Sequence, residues 1–465
     1  MDKTIIKFVS AILAPVFLLV QLQPVLPVRQ ADIAVKFQKN LTANFLPSFR
    51  QFLQLESIAY ADEPAFTEDY TFDGKTVHIE WHDAELELNE PELIATIREN
   101  IKKGLIDEGL LVNWRGEDLP AASTMMLEFI EDFGRYVYMG TFEDEEPFAC
   151  GRTYGNLPIG VVAYQFSEVL APAYDYWKDI VSEEDKIPVP NPGGVAVLFI
   201  DGCEVFIRQF VEGPNRTAYI ALLRNEGKPD QEIADTCLRK ESAMAWMIWK
   251  ATNGRASRNF KPYHIIYTKD TYNAKGINFD TITGPETSIH YFFEVSVVNG
   301  AKTEIDSAAG AESDLTHALL GLYDAMVLDG MTDEAILDLF RQELSADYPQ
   351  AVDEVETIIE GAVSYADTIL AAVSGIIPEE YAEELVHGLI QSREPELQRR
   401  VDNGLISAED KLAIENTQPF DYASWANKAA EDITLFKENA KYFTAAQIKK
   451  ILNTGFRFAK VKTDL

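Results

Sequence analysis

The sequence predicts an α+β fold, with a mixed sheet-and-helix domain followed by an all-helical C-terminal domain. Beyond residue 62, short runs rich in β-branched and aromatic residues alternate with stretches of helical periodicity. From Asp314 onward nothing reads as a strand, and helix-capping signals follow one another. A polar, small-residue stretch at 299–313 separates the two parts. The expected organisation is an N-terminal segment 1–61, α+β regions 62–190 and 191–313, and a helical domain 314–465.

The N-terminal segment holds the parts of an export signal, widely spaced. Lys3 and Lys7 lead into the apolar run 8–20, and 38 residues later comes the small-x-small triplet Ala59-Tyr60-Ala61. Residues 8–28, interrupted by Ser10, Gln21, Gln23 and three prolines, are just long enough to span a bilayer as an uncleaved membrane tether. Alternatively the segment is cut, after Ala61 or near Ala31, where Arg29 would occupy a position that favours a small residue. Phe45, Phe49, Phe52 and Leu53 make 41–55 an amphipathic spacer. Both readings place the protein outside the cytoplasm: periplasmic, secreted or membrane-anchored. A buried first helix of a cytosolic domain is the competing reading.

In the next region, residues 70–72 and 75–81 flank Asp73-Gly74, a hairpin turn signal. Pro91 opens a helix with Leu93, Ile94, Ile97, Ile101 and Leu105 on one face. Residues 135–142 read as a strand, 160–180 as a largely apolar helix, and the Pro- and Gly-rich stretch 187–194 as a linker. Past it, 195–200 and 203–210 flank Asp201-Gly202 as a second hairpin, and 217–223 reads as another strand. A helix over 231–252 stops at Asn253-Gly254, and 263–267 and 290–298 read as strands. In the tail, Thr332, Pro378, Ser407 and Thr444 mark helix starts.

Composition narrows the partners. The chain has 75 acidic and 41 basic residues, a net charge of −34. Residues 1–61 carry six basic and three acidic residues, so the body beyond them carries −37. Such a surface repels phosphate backbones, so no nucleic-acid partner is expected. A saline habitat would select the same acidity. Three cysteines, Cys150, Cys203 and Cys237, allow at most one disulfide and match no zinc-knuckle spacing. Asn40 and Asn215 head glycosylation sequons.

Two places carry candidate chemistry. On a strand, His78, Glu80 and His82 share a face, and two imidazoles with a carboxylate are zinc-ligand types. The plainer reading of the same alternation puts Val77, Ile79 and Trp81 in the core and the polar set in water. Leu86 and Leu88 continue the histidine parity, so a bend is expected near Asp83. The second place is the 231–252 helix. Zinc peptidases of the zincin type carry His-Glu-x-x-His on such a helix, the two His binding zinc and the Glu activating water. In that frame this chain reads Lys240-Glu241-Ser242-Ala243-Met244. Glu241 stands in the general-base position, but a protonated lysine repels a metal and methionine is a soft ligand for zinc. As an ordinary amphipathic helix, Ile233, Cys237, Met244 and Ile248 form a buried stripe, and Glu241 beside it requires a partner.

Cys237-Leu-Arg-Lys-Glu241, then Asp314-Leu-Thr-His-Ala-Leu-Leu-Gly-Leu-Tyr323-Asp324 and Asp329-Gly330-Met331-Thr332, resemble the motifs of an exported bacterial family, domain of unknown function 2927. The resemblance spans residues 195–345; Lys240 and Met244 depart from it, and the interval between the motifs is longer. It implies a zincin-like fold that has lost its zinc ligands. The expected function is thus a non-catalytic zincin-like protein acting through binding or assembly, with the helical C-terminal domain offered to a protein partner. The alternatives are an extracytoplasmic metal-dependent, peptidase-like hydrolase, with zinc as the candidate metal, using His78, Glu80 and His82 or His290 and His317, and an adhesin-like surface protein.

Overall fold

A computed structural model describes residues 64–373, apart from short segments at 84–90, 133–134, 144–145, 155–159, 195, 259, 280, 303–304 and 306–314. The signal or anchor at 1–61, the bend-relevant Leu86 and Leu88, and the helices expected beyond 373 lie outside the described residues. The chain divides into two compact units, Met1–Gly330 and Met331–Leu465.

The first unit is α+β and is built on a curled seven-stranded sheet. Its strands are β1 (Phe66–Phe72), β2 (Lys75–His82), β3 (Ala122–Asp132), β4 (Arg135–Phe142), β5 (Phe148–Thr153), β6 (Val197–Ile200) and β7 (Cys203–Gln209). They lie in the order β1-β2-β3-β4-β5-β7-β6. Both expected hairpins form. Their turns place Asp73 and Gly74 at φ 46° and 74°, and Asp201 and Gly202 at φ 48° and 78°. Two successive left-handed residues give the turn whose twist matches paired strands, which is why Asp-Gly is selected there. Every pairing is antiparallel except β2 with β3. That one needs a crossover, supplied by α1 (Pro91–Lys102), a wide π-type turn at Lys103–Asp107 and α2 (Leu110–Arg115).

The crossover covers one face of the sheet. Val77, Ile79 and Trp81 of β2 pack with Ile97, Ile101, Leu105 and Leu110, all essentially inaccessible to water. Each such side chain contributes about 1.5–3 kcal/mol relative to exposure. On the other face lies the helical stretch α3 (Val161–Gln165), a π segment Phe166–Leu170 and α4 (Ala171–Trp177), where the sequence predicts one apolar helix. Buried Glu204 of β7 anchors its start, accepting from Val162 N (3.2 Å) and Ala163 N (2.7 Å). A carboxylate there also complements the positive helix end.

Residues 187–194 are not a free linker. Ile187 and Val189 are buried, Asn191 O accepts from Gln209 N, and Pro188 O accepts from Gly276 N. The segment ties Gln209 of β7 to Gly276, within one unit.

Those helices are α5 (Arg216–Asn225), α6 (Asp230–Ala251), α7 (Ile289–Phe292) running into a π segment Phe293–Lys302, and α8 (Leu315–Leu328). A two-stranded ribbon, β8 (Ile265–Tyr267) and β9 (Ala274–Gly276), lies among them. Two expected strands are therefore helical. Residues 217–223 belong to α5 because Asn215 Oδ1 caps it, accepting from Ala218 N at 3.0 Å. Asn215 is thereby buried, so this sequon acts as a helix cap. Residues 290–298 are helical because Ser288 caps α7 and Phe292, Phe293 and Val297 are buried among the helices. Tertiary burial here overrides β propensity.

In the second unit, Thr332 caps α9 (Asp333–Glu343), and α10 (Pro349–Val373) follows; Ile336 and Phe340 of α9 and Val352 and Val355 of α10 are buried. Arg341 of α9 pairs with Glu356 of α10. Among the described residues, no helix is long and apolar enough to cross a membrane.

Candidate functional site

At the centre of α6, Glu241 is completely buried. Its Oε1 accepts from Arg216 Nε at 2.8 Å and from the Tyr267 hydroxyl at 2.6 Å, and its Oε2 accepts from Arg216 Nη2. Arg216, the first residue of α5 and also fully buried, donates its Nη1 to Phe260 O at 2.8 Å. A bidentate guanidinium–carboxylate fork at a fully buried site is a strong, geometrically selective pair. The partner that the sequence requires for Glu241 is thus Arg216, and the carboxylate is committed to three donors.

The surrounding groups are equally committed. Burial, reinforced by Cys237 and Glu241, raises the Tyr267 hydroxyl far above its ordinary range. Burial, with Glu241 adding, pushes the Cys237 thiol up to about 12, so it is no ready nucleophile. Lys240 donates to Tyr272 O at 2.6 Å and lies over the Tyr219 ring, with burial lowering its ammonium. Met244 is buried in the helix stripe. Tyr219 stacks on Tyr267 with ring centroids 4.0 Å apart. The positions that hold zinc in the zincin frame here hold a half-buried lysine and a core thioether. These residues do not fit a zinc ion.

The two motif segments meet. Arg239 of α6 donates to both carboxylate oxygens of Asp324 on α8, at 2.7 and 2.9 Å. The helices approach closely at Gly321, where an added Cβ would stand 2.2 Å from Arg239 O. One turn away, His317 Nδ1 lies 3.4 Å from Asp235 Oδ1.

On β2, the sheet pattern places His78, Glu80 and His82 on one side, while Val77, Ile79 and Trp81 are buried on the other. His78 Nδ1 lies 2.7 Å from Asp69 Oδ1, and Glu80 oxygens lie 3.7 Å from His78 Nε2 and 3.9 Å from His82 Nε2. β2 ends at His82, and the next residue, Asp83, is buried against Arg98 and accepts from the Tyr138 hydroxyl at 3.2 Å. His290 lies on α7 and His317 on α8. Among the described residues, no group of three or more His, Cys, Asp or Glu is arranged to hold a metal ion.

One place has no motif in the sequence. Between the second face of the sheet and the helical layer, Arg135 of β4 and Arg208 of β7 flank a cavity of about 20 Å³ whose polar lining also includes Gln165, Tyr263, His264 and Asn278. Arg135 Nη2 donates to Asn278 Oδ1 at 3.3 Å, and Asn278 Nδ2 lies 3.1 Å from His264 Nε2. Arg135 and Asn278 are 143 positions apart, beyond the reach of any spacing rule. Neither residue type nor spacing marks these residues in the sequence.

No protein-family model and no curated protein matches this chain.

Proposed function

We propose that this chain is an exported or membrane-tethered protein that acts by binding or assembly, on a zincin-like helical arrangement that has no catalytic role. The observation that carries this is the Arg216–Glu241 pair: the glutamate in the general-base position is sealed from water and neutralised by a guanidinium. A base must reach the proton it abstracts, directly or through one water. Glu241 instead ties α5 to α6, and the α6–α8 clamp at Arg239 and Asp324 makes the two motif segments one packed unit. The acidic body disfavours nucleic acid and leaves proteins and small molecules as partners. The helical tail is the segment assigned to a protein partner, and residues 8–28 are the segment assigned to membrane tethering.

A second reading, a zinc-dependent hydrolase on β2, is favoured by the placement of Glu80 between His78 and His82. One experiment separates the two. The purified full-length chain is assayed for bound zinc by mass spectrometry and for peptide hydrolysis with added zinc. The expected result is no stoichiometric zinc and no hydrolysis. Stoichiometric zinc that is lost in Glu80→Ala or His82→Ala, together with turnover, overturns the non-catalytic reading.

A further inference from the structure

We propose that Cys203 is a site of oxidation by hydroperoxides, with the Arg152 guanidinium placed to hold the oxygen that the sulfur gains. The proposal goes beyond the binding role above and does not depend on it. Arg152 of β5 is only 6% exposed. Its Nη2 donates to Cys203 Sγ at 3.1 Å, while its Nε and Nη1 find no hydrogen-bond partner in the protein. Among the described residues no carboxylate forms an ion pair with it. Buried donors without acceptors are rare, and a guanidinium keeps its charge at any ordinary pH. Its burial is therefore costly until an oxygen reaches it.

Strand register brings the two groups together. Arg152 is paired with Val205 of β7 and Tyr136 of β4, and paired residues share a side of a sheet. Cys203 stands two positions before Val205, so it lies on that same side, the one covered by the crossover helices. Nη2 belongs to both edges of the planar guanidinium. Whichever edge meets the sulfur, its second nitrogen, Nε or Nη1, is one that has no partner. An oxygen bonded to Sγ would complete that fork as the second oxygen of a carboxylate does.

The step is a two-electron oxidation. The sulfur attacks one oxygen of hydrogen peroxide, the O–O bond breaks, and the departing hydroxide takes the thiol proton and leaves as water. The product is a sulfenic acid, whose oxygen accepts from Arg152. All three cysteines are free, and the sheet keeps this product from closing a disulfide with Cys150. Cys150 is paired with Ile207, four residues along β7 from Cys203. That is a separation of about 13 Å, against the roughly 7 Å that a disulfide bridges. Access comes through the hairpin. Cys203 is 2% exposed but directly follows the exposed Asp201-Gly202 turn, beside the four-residue edge strand β6. Short edge elements open locally at low free energy, which admits a molecule as small as hydrogen peroxide. Burial raises the Cys150 and Cys237 thiols, the latter to about 12, and leaves both poor nucleophiles.

The test exposes the reduced full-length chain to hydrogen peroxide, blocks the remaining thiols in denaturant, and follows the cysteine peptides by mass spectrometry. The parent is compared with Arg152→Met, which keeps an apolar stem without the donors, and thermal melts show that both are folded. The expected result is that Cys203 gains oxygen before Cys150 and Cys237. The folded variant should slow this about tenfold or more, as loss of a charge-assisted hydrogen bond implies. The oxidised parent should also melt above the reduced one, a rise absent from the variant, because the new oxygen satisfies the stranded donors. Oxidation of Cys203 no faster than of the other two thiols, an unchanged rate in the folded variant, or a parent that oxidation does not stabilise would each overturn the proposal. If Arg152→Met does not fold, Arg152→Gln takes its place; if neither folds, the order of oxidation in the parent decides.

Discussion

Removing the carboxylate of Glu241 should destabilise the first unit severely. In Glu241→Ala, Arg216 loses both hydrogen bonds to the carboxylate while keeping the one to Phe260 O, and Tyr267 loses the Glu241 acceptor of its hydroxyl. The guanidinium remains fully buried, with no solvent to screen it. Breaking one side of a buried pair typically costs about 3–5 kcal/mol, a large part of a stability that is usually about 5–15 kcal/mol. Arg216→Met should cost a similar amount by stranding the carboxylate. The double variant Arg216→Met/Glu241→Leu replaces both charges by apolar groups of similar volume, and should recover most of the loss. Urea unfolding followed by tryptophan fluorescence reads this directly, since α6 carries Trp246 and Trp249. The cycle should show a coupling of several kcal/mol between the two sites. Two single losses below about 0.5 kcal/mol, or a double variant whose loss is their plain sum, would refute the assignment of this pair as the tie between α5 and α6.

Two further outcomes follow from the packing of the same unit. Gly321→Ala places a methyl group against Arg239 O and should force α8 away from α6, at about 1–3 kcal/mol, read as a lowered melting temperature; an unchanged melt would mean the helices are not locked at that crossing. Lys275 is buried, donates to Glu184 O at 2.8 Å, and has its ammonium lowered by burial to about 8. Its folded value lies below the unfolded one, so the unfolded chain binds more protons between roughly pH 8 and 10.4, and this group's contribution to stability rises with pH across that window. Below about pH 8 the burial penalty is present in full. Denaturant unfolding of the parent relative to Lys275→Met should therefore show a rise of up to about 3 kcal/mol across the window; parallel profiles would contradict it.

The parts of this fold legible in the sequence are those set by near neighbours. Asp73-Gly74 and Asp201-Gly202 announce their hairpins because two successive left-handed residues are a local steric requirement. The α1 face and the α6 stop at Asn253-Gly254 follow from periodicity and backbone freedom in the same way. Strands β3 and β5 escape such reading. Every residue of Phe148–Thr153 is buried, which removes the alternation that marks a strand. Residues 122–132 begin with Ala, Ser, Thr and two Met and contain Leu and Glu, and are held extended by β2 on one side and β4 on the other. In the other direction, 217–223 and 290–298 have strand-like composition but were claimed by the Asn215 and Ser288 caps and by burial among the helices.

By itself, the sequence determined the α+β class, both hairpins, the acidic surface, and the need of Glu241 on the α6 stripe for a partner. It also put His78, Glu80 and His82 on one side of a strand, since alternation along β2 is a property of the backbone. Only the tertiary structure decided who the partners are. Arg216 reaches Glu241 across 25 positions, Arg239 reaches Asp324 across 85, and Arg135 reaches Asn278 across 143. Turns and caps are settled within about four residues by steric and hydrogen-bonding rules. The pairing of a buried charge depends on which distant segments pack together, and a one-dimensional pattern does not carry that distance.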